Sequence, residues 1–256
     1  ISALLSGVVT VTGLVAMMKV LGAVISTPEQ WGNLLLVVAV CNIVLGNILA
    51  YAQKQVKRIL AYSSVTHIGF ILLAVGIGLV TQSELAMRAS MLHLFVHGLM
   101  KSLAFLAVGT FAYALGTEKQ LTVSDLSGVA KRYPAMAISL AIALMSLVGM
   151  PTMAGFISKL QIFIAGVQGG SAGMIILMIF AAFNAVFSLA YYLPMLNALN
   201  SQPETDNWRN APTLPLTMRL PVILLAVSIV LFGLFPNLLD GLIQPAGSAL
   251  FALMIH

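Results

Sequence analysis

The sequence predicts an all-α, polytopic membrane protein, and three observations carry that prediction. First, 60% of the 256 residues are hydrophobic and only 7% are charged, against about 25% charged in soluble domains; mean hydropathy is +1.05. Second, seven stretches meet the length of a bilayer span, about 20 apolar residues rising about 1.5 Å each. Third, basic residues collect in alternate loops, as the positive-inside bias requires. All spans are expected to be helical, because backbone groups in lipid must be satisfied within their own segment.

The spans read, in order, as Ile1–Ser26, Trp31–Ala52, Lys57–Val80, Leu85–Leu115, Pro134–Val167, Ala172–Asn200 and Met218–Phe235. Trp31 and Tyr133 stand at span ends, where aromatic anchors belong. The last apolar stretch, Leu238–Ile255, carries Asp240, Gly241, Pro245 and Gly247. Residues 1–236 are therefore expected to form the transmembrane bundle, and residues 237–256 an interfacial or re-entrant tail. The second loop carries Lys54, Lys57 and Arg58, the fourth Lys119, Lys131 and Arg132, and the sixth Arg209 and Arg219. The opposite loops carry Glu29 and Glu84, with Arg88 just inside the fourth span. The basic loops are expected on the cytoplasmic side or its equivalent. Lys19, close to the end of the first span, reads as an anchor.

Several function classes are set aside by the same residues. The pI near 9.5 comes from short loops and not from one basic face, so nucleic acid is not the expected partner. Cys41 is the only cysteine, which excludes an internal disulfide or a cysteine metal cluster. No phosphate-cradling glycine loop, iron–sulfur pattern, haem motif or nucleophile elbow is present. No redox cofactor is expected in this chain, and its energy is expected from an ion gradient or from partner subunits. The sequence starts at Ile1 with neither an initiator Met nor a signal-peptide pattern; the expectation is the C-terminal part of something longer.

Against this apolar background the ionisable residues at membrane depth stand out, since a charge in hydrocarbon costs several kcal/mol unless it faces a polar path (about 3 kcal/mol on insertion scales). In the fourth span, His93, His97 and Lys101 recur at i, i+4 and i+8. They share one face and cover about 12 Å of depth. Imidazoles titrate near neutral pH and a desolvated amine can give up its proton, so the row suits proton transfer through intervening water. Two alternatives stay open: packing histidines with a snorkelling lysine, and a zinc site, for which no Glu, Asp or Cys stands nearby to complete the shell.

The fifth span contains Gly149, Pro151 and Gly155, followed by Lys159. Glycine and proline in mid-membrane break a helix and free backbone groups, as in ion-coupled transporters. A helix break near Gly149–Gly155 is expected, with water or the histidine row as the neighbour of Lys159. A simple proline kink with a structural lysine is the alternative. In the third span His67 follows Ser63, Ser64 and Thr66; a proton-path role and polar glue between helices are equally open. Tyr191 and Tyr192 read as packing and interface residues.

Together these motifs resemble the antiporter-like proton-translocating subunits of respiratory complex I, a family shared with Mrp-type sodium/proton antiporters and energy-converting hydrogenases. Three stretches carry the resemblance: residues 52–70 (AQKQVKRILAYSSVTHIGF), residues 91–109 with the His/Lys helix, and residues 149–163 (GMPTMAGFISKLQIF). The resemblance implies a longer protein of two inverted five-helix repeats, of which this chain holds the second. It implies that Lys159 is the terminal lysine of a half-channel and that His93, His97 and Lys101 lead to it. It further implies that His67 is a polar position of the signature helix. One position departs: where the family places a lysine eight residues before a basic residue, here Lys19, this chain has Val11.

The expected function is that of a proton-translocating subunit in a complex I-like, redox-driven membrane assembly. Iron–sulfur clusters and quinone are expected only in partner subunits. The chain is expected to be an integral protein of a bacterial or archaeal cytoplasmic membrane, or an organelle equivalent. Its expected partners are other membrane subunits, the lipid bilayer and protons, with sodium as the alternative ion. Two alternatives are an Mrp-type cation/proton antiporter subunit and a transport-inactive structural paralogue. Val11 favours the latter, and carbonyl-capped Lys101 and Lys159 in dry surroundings would support it.

Overall fold

A computed structural model describes residues 1–116, 120–202, 208 and 211–255. Lys119 and Arg209, counted above among the loop charges, lie outside the described residues. The long helices are α1 (Ser2–Val24), α2 (Pro28–Tyr51), α3 (Val56–Thr81), α4 (Glu84–Ala114), α5 (Pro134–Val148), α6 (Ala154–Gln168), α7 (Ala172–Asn200), α8 (Leu216–Leu234) and α9 (Asp240–Ile255). Local chemistry sets their ends. Pro28 and Pro134 occupy first-turn positions, where a missing amide costs nothing. Ser83 and Ser171 cap α4 and α7 by accepting from Ala86 N and Met174 N. α1 carries a π-helical turn over Leu5–Val9, and α7 bends at Ser188, between Phe187 and Leu189.

The helices are not equivalent. The apolar windows of α3 and α4 are 78% and 67% buried within the chain, whereas those of α1 and α8 are 17% and 22% buried. A polar group is therefore shielded from lipid on α3 and α4, while the outer helices turn Val20, Phe183, Leu216 and similar residues outward. α2 packs along α3, and α4 contacts α3, α5, α6, α8 and α9.

Seven helices among the described residues are long and apolar enough to cross a membrane. The number matches the expectation, but the membership differs. The expected fifth span is divided into α5 and α6, of 15 residues each, about 22 Å apiece and too short to span singly. In its place Pro236–Ile255, expected as a tail, has the length and composition of a span. Its contacts lie against helix ends: Ser248 Oγ donates to Glu84, Gly247 packs on Arg88, and Leu253 packs on Gly22 near the end of α1.

The basic loops gather at the other end. Val56 N donates to Leu121 O and Val123 N to Lys54 O, joining the second loop to the fourth. Arg132 Nη2 donates to Ala211 O at 2.6 Å and Tyr133 OH to Pro212 O, joining the fourth to the sixth. Lys54, Lys131 and Arg132 thus share one end of the bundle, as the alternating charge pattern predicts.

The break between α5 and α6 closes on itself. Gly155 N donates to Ser146 Oγ at 3.0 Å, and a Cβ on Gly155 would lie 1.9 Å from Ser146 O. That oxygen belongs to the backbone and cannot swing aside. Gly155→Ala is expected to destabilise the protein by about 1–3 kcal/mol, the range for overpacking. Gly13, whose Cβ would meet nothing within 4 Å, serves as the control. Thermal unfolding of the detergent-solubilised protein tests the pair: Gly155→Ala should melt lower than wild type, and Gly13→Ala should not.

Candidate functional site

Five ionisable side chains that the sequence singles out are buried: His93, His97 and Lys101 are 0% exposed, His67 2% and Lys159 3%. They come from three helices, α3, α4 and α6, and the structure brings four of them into one group. His67 Nδ1 lies 3.1 Å from His93 Nε2, and His93 Nδ1 lies 2.8 Å from Ser158 Oγ. The His67 ring centroid is 5.3 Å from that of His93 and 5.4 Å from that of His97. Lys159 is the next residue after Ser158, and its Nζ lies 5.3 Å from the centroid of the Phe70 ring on α3, within cation–π range.

This row has two consistent hydrogen-bond polarities. In one, Ser158 Oγ donates to Gly155 O at 3.1 Å, His93 Nδ1–H donates to Ser158, and His67 Nδ1–H donates to His93 Nε2. In the other, Ser158 donates to His93 Nδ1 and His93 Nε2–H donates to His67. Passing from the first to the second moves both imidazoles to their other neutral tautomer; a proton taken up at His67 Nε2 is matched by one lost from Ser158 Oγ, and because Gly155 O is a peptide carbonyl that cannot keep it, net transfer requires a base brought to Ser158. Neutral imidazole, with one donor and one acceptor nitrogen, permits both arrangements.

The lysines are held differently. Lys159 Nζ donates to Leu147 O at 2.7 Å and to Val148 O at 2.9 Å. These are carbonyls of the last turn of α5, which carry the negative end of the helix dipole and have no amide partner within the helix. Gly149 makes this possible. It ends α5 in the left-handed region (φ 93) and gives its amide to Met145 O and Ser146 O, leaving the next two carbonyls to the lysine. A Cβ on Gly149 would lie 3.2 Å from Lys159 Cδ. Thr152 also has positive φ, 73°, an uncommon state for a β-branched residue; with Pro151 it forms the linker that Gly233 of α8 packs against. The expected break near Gly149–Gly155 is therefore present, and the protein groups that Lys159 bonds are carbonyls at the end of α5, not the histidine row.

Lys101 Nζ donates to Leu60 O at 2.8 Å and to Ser63 Oγ at 2.5 Å, both on α3. His97 is the member of the group with neither ring nitrogen hydrogen-bonded to a protein atom. Val11 Cγ2 packs 3.5 Å from the Cβ position of Gly98, the residue after His97. The position where the resemblance leads to a lysine is thus occupied by an apolar side chain packed against Gly98. Among the described residues no group of three or more His, Cys, Asp or Glu is placed to hold a metal ion.

A second polar knot was not read from the sequence. Asn47 of α2, 1% exposed, donates to Asn184 O at 2.9 Å and accepts from Tyr191 OH at 3.0 Å and Thr66 Oγ1 at 3.3 Å. Tyr191 and Tyr192 are buried at 4% and 0% exposure, so they pack inside the bundle and not at an interface. Ser158 and Phe70 were also missed; a serine one residue from a lysine and a phenylalanine in an apolar span give no signal of their own.

With this geometry in view, the comparisons with known proteins decide the family. Residues 1–188 match the family described as NADH:quinone oxidoreductase/Mrp antiporter, transmembrane. The chain belongs to this family. The NADH-quinone oxidoreductase subunit N of Dehalococcoides mccartyi is 35% identical over 220 residues, which are 85% of this chain and 44% of that protein. The NAD(P)H-quinone oxidoreductase subunit 2 of Thermosynechococcus vestitus is 31% identical over 233 residues, covering 86% of this chain and 43% of it. The chain therefore spans less than half the length of these relatives. Among solved structures, a chain of an archaeal membrane-bound sulfane sulfur reductase superposes with a TM-score of 0.81 at 28% identity, covering 99% of this chain and 51% of that one. A chain of the Mrp complex from Dietzia sp. superposes with a TM-score of 0.85 at 23% identity, covering 97% and 53%; this likeness shows the fold alone. The protein is an integral membrane protein with the all-α bundle of antiporter-like subunits.

Ser158→Ala tests the hydrogen-bonded row. It leaves His93 Nδ1 buried without a partner, at an expected cost of about 1–3 kcal/mol. Ser139, whose hydroxyl donates only to Ala135 O of its own helix, is the control. Thermal unfolding should show a lower midpoint for Ser158→Ala than for Ser139→Ala; equal midpoints would mean that Ser158 does not hold His93.

Proposed function

We propose that this chain forms a proton-conducting half-channel in the membrane arm of a quinone-reducing, complex I-like assembly. One observation carries the reading: the continuous contact of His67, His93 and Ser158, ending beside Lys159 at a broken helix. A structural core has no need of imidazoles hydrogen-bonded in series within a bundle whose charged residues are only 7% of the chain. Protons enter the row through His97 and Lys101, pass His67 and His93, and reach Lys159. A driving event in a partner subunit moves the α5–α6 break and alters how firmly the terminal carbonyls of α5 hold the lysine. Iron–sulfur clusters and quinone belong to partner subunits in this reading, and α9 lies across one end of the bundle as an interfacial helix.

Two other readings have an observation each. The matched family takes in Mrp antiporters as well as quinone oxidoreductases, which supports a cation/proton antiporter subunit, but the relatives at 31–35% identity are quinone oxidoreductase subunits. The carbonyl caps on both lysines and the methyl group of Val11 support a transport-inactive paralogue. The two kinds of cap differ, however. That on Lys159 uses free helix-end carbonyls, which stabilise the charged form without removing the means to release it.

The experiment is Lys159→Ala in the complete assembly, reconstituted into vesicles. Pumping is expected to fall by at least about tenfold, which corresponds to about 1.4 kcal/mol, while the assembly stays intact. Unchanged pumping in an intact assembly would reject the role. Sodium-dependent transport without electron transfer would replace this reading with the antiporter one.

A further inference from the structure

The outer side of α5 and α8 carries a feature that the proton path does not use. At the basic end of the bundle, Arg132, Tyr133, Thr213 and Arg219 line a pocket of about 190 Å³. Deeper along the same two helices runs an apolar groove of about 510 Å³. Ala135 lines both, so the pocket and the groove are continuous. Helical spacing builds the groove. On α5 its wall is Ala135, Ile138, Ser139 and Ile142, at i, i+3, i+4 and i+7, which is one helix face. On α8 the facing stripe is Ile223, Val227, Val230 and Leu234. Arg219 stands on that same stripe, one turn before Ile223. Ile138, Val227 and Leu234 are exposed, while Ala226 between the walls is buried; the groove is open to whatever surrounds the bundle.

The head of the groove is built as well as charged. Arg132 donates to Ala211 O through Nε at 3.2 Å and Nη2 at 2.6 Å. Its guanidinium carbon lies 5.8 Å from the centroid of the Tyr133 ring, so one guanidinium is fixed in place before any ligand arrives. Among the described residues the ion pair formed is that of Arg88 with Glu84, at the opposite end of the bundle. Two positive charges therefore stand at the mouth of an apolar channel.

We propose that this is a binding site for one anionic phospholipid: Arg132 and Arg219 hold its phosphodiester, and an acyl chain lies between α5 and α8. Charge and length both select this occupant. Guanidinium–phosphate contacts are among the stronger hydrogen bonds, because both partners are ionised. Ile223 to Leu234 covers about 16 Å of α8, close to half of the hydrocarbon core of about 30 Å. That is the reach of a lipid in one leaflet, the leaflet on the basic side. A transmembrane helix of a partner would need the whole thickness, and it brings no anion to the pocket. None of the site's residues belongs to the row of His67, His93 and Ser158, so the lipid site stands or falls apart from the proton path. It bears on the same helix, however: the lipid lies along α5, whose last turn holds Lys159.

The test strips the complete assembly of lipid in detergent and titrates it with dioleoylphosphatidylglycerol, counting bound lipids by native mass spectrometry. Arg219→Gln should weaken one tightly held lipid by about fivefold, the worth of one basic residue at an anionic leaflet. Val227→Trp, which fills the groove and leaves both arginines in place, should weaken the same lipid at least as much. Lys131→Gln is the control, since Lys131 is an exposed basic residue of the same end that does not line the pocket. It should leave that lipid bound. Dioleoylphosphatidylcholine, whose phosphate carries its own ammonium, should bind more weakly, and inorganic phosphate should not displace the lipid. Equal losses in Arg219→Gln and Lys131→Gln would reduce the site to the diffuse attraction of a basic surface and overturn the proposal. Displacement by inorganic phosphate, with Val227→Trp behaving as wild type, would make it an anion pocket and not a lipid site. A photocrosslinker at position 227 that captures a neighbouring subunit and no lipid would show the groove covered by protein. Thermal unfolding separates a role within the protein: phosphatidylglycerol should raise the midpoint of wild type more than that of Arg219→Gln, and a deficit of the variant that is the same without lipid would also overturn the site.

Discussion

Holding an amine inside an apolar bundle without a carboxylate is the constraint on which the rest of this structure depends. Among the described residues the ion pair formed is Arg88 with Glu84, at the start of α4 and partly exposed. Among the described residues neither buried lysine forms an ion pair with an acid. An unpaired ammonium in a low-dielectric interior is costly, and backbone carbonyls are the remaining source of negative potential. A continuous helix offers few of them, because its carbonyls are already bonded four residues on. A broken helix offers the whole last turn. The left-handed Gly149, the close approach of Gly155 to Ser146, and the Thr152 linker are the local means of presenting that turn to Lys159.

The same constraint makes the two lysines unequal. Lys159 sits at a helix terminus, where dipole and free carbonyls act together, and rests against the Phe70 face. Lys101 leans on the flank of an unbroken helix and shares its acceptor with two serines. In the proposed path the two lysines would therefore differ in how firmly they are held, Lys159 more tightly than Lys101. In the proposed path the imidazoles between them would hand on a proton through their two nitrogens.

Most of the fold and the titratable half of the site are legible in the sequence, for one reason. In a chain with 7% charged residues, the cost of burying a charge makes His93, His97, Lys101 and Lys159 conspicuous, and glycine with proline marks the break at Gly149–Gly155. What the sequence conceals is the other half of every interaction. Leu147, Val148 and Leu60 act through carbonyls that every residue possesses, so nothing in their identity signals a role. Ser158 and Asn47 look like ordinary polar residues in an apolar run, and only tertiary packing aims them. The bend at Ser188 has neither glycine nor proline at it. Beyond Phe235, Asp240 falls in the first turn of α9 and Pro245 inside it, and the segment is helical through Ile255 all the same.

Carbonyl caps alone do not make a dead channel. A capped ammonium is what any proton-loaded lysine must look like in lipid, since an uncapped one would lose its proton or its place. Conducting and inert bundles differ in whether the displaced group has somewhere to go. An inert core satisfies every polar atom once and leaves none over, whereas a conducting one must carry empty acceptors in the resting state. In the proposed half-channel His97, one turn from Lys101 and with no protein partner on either ring nitrogen, would be such an acceptor through its one unprotonated nitrogen. With Val11 packed against Gly98, the first helix supplies no titratable group at that position, and the proposed path rests on side chains of α3, α4 and α6.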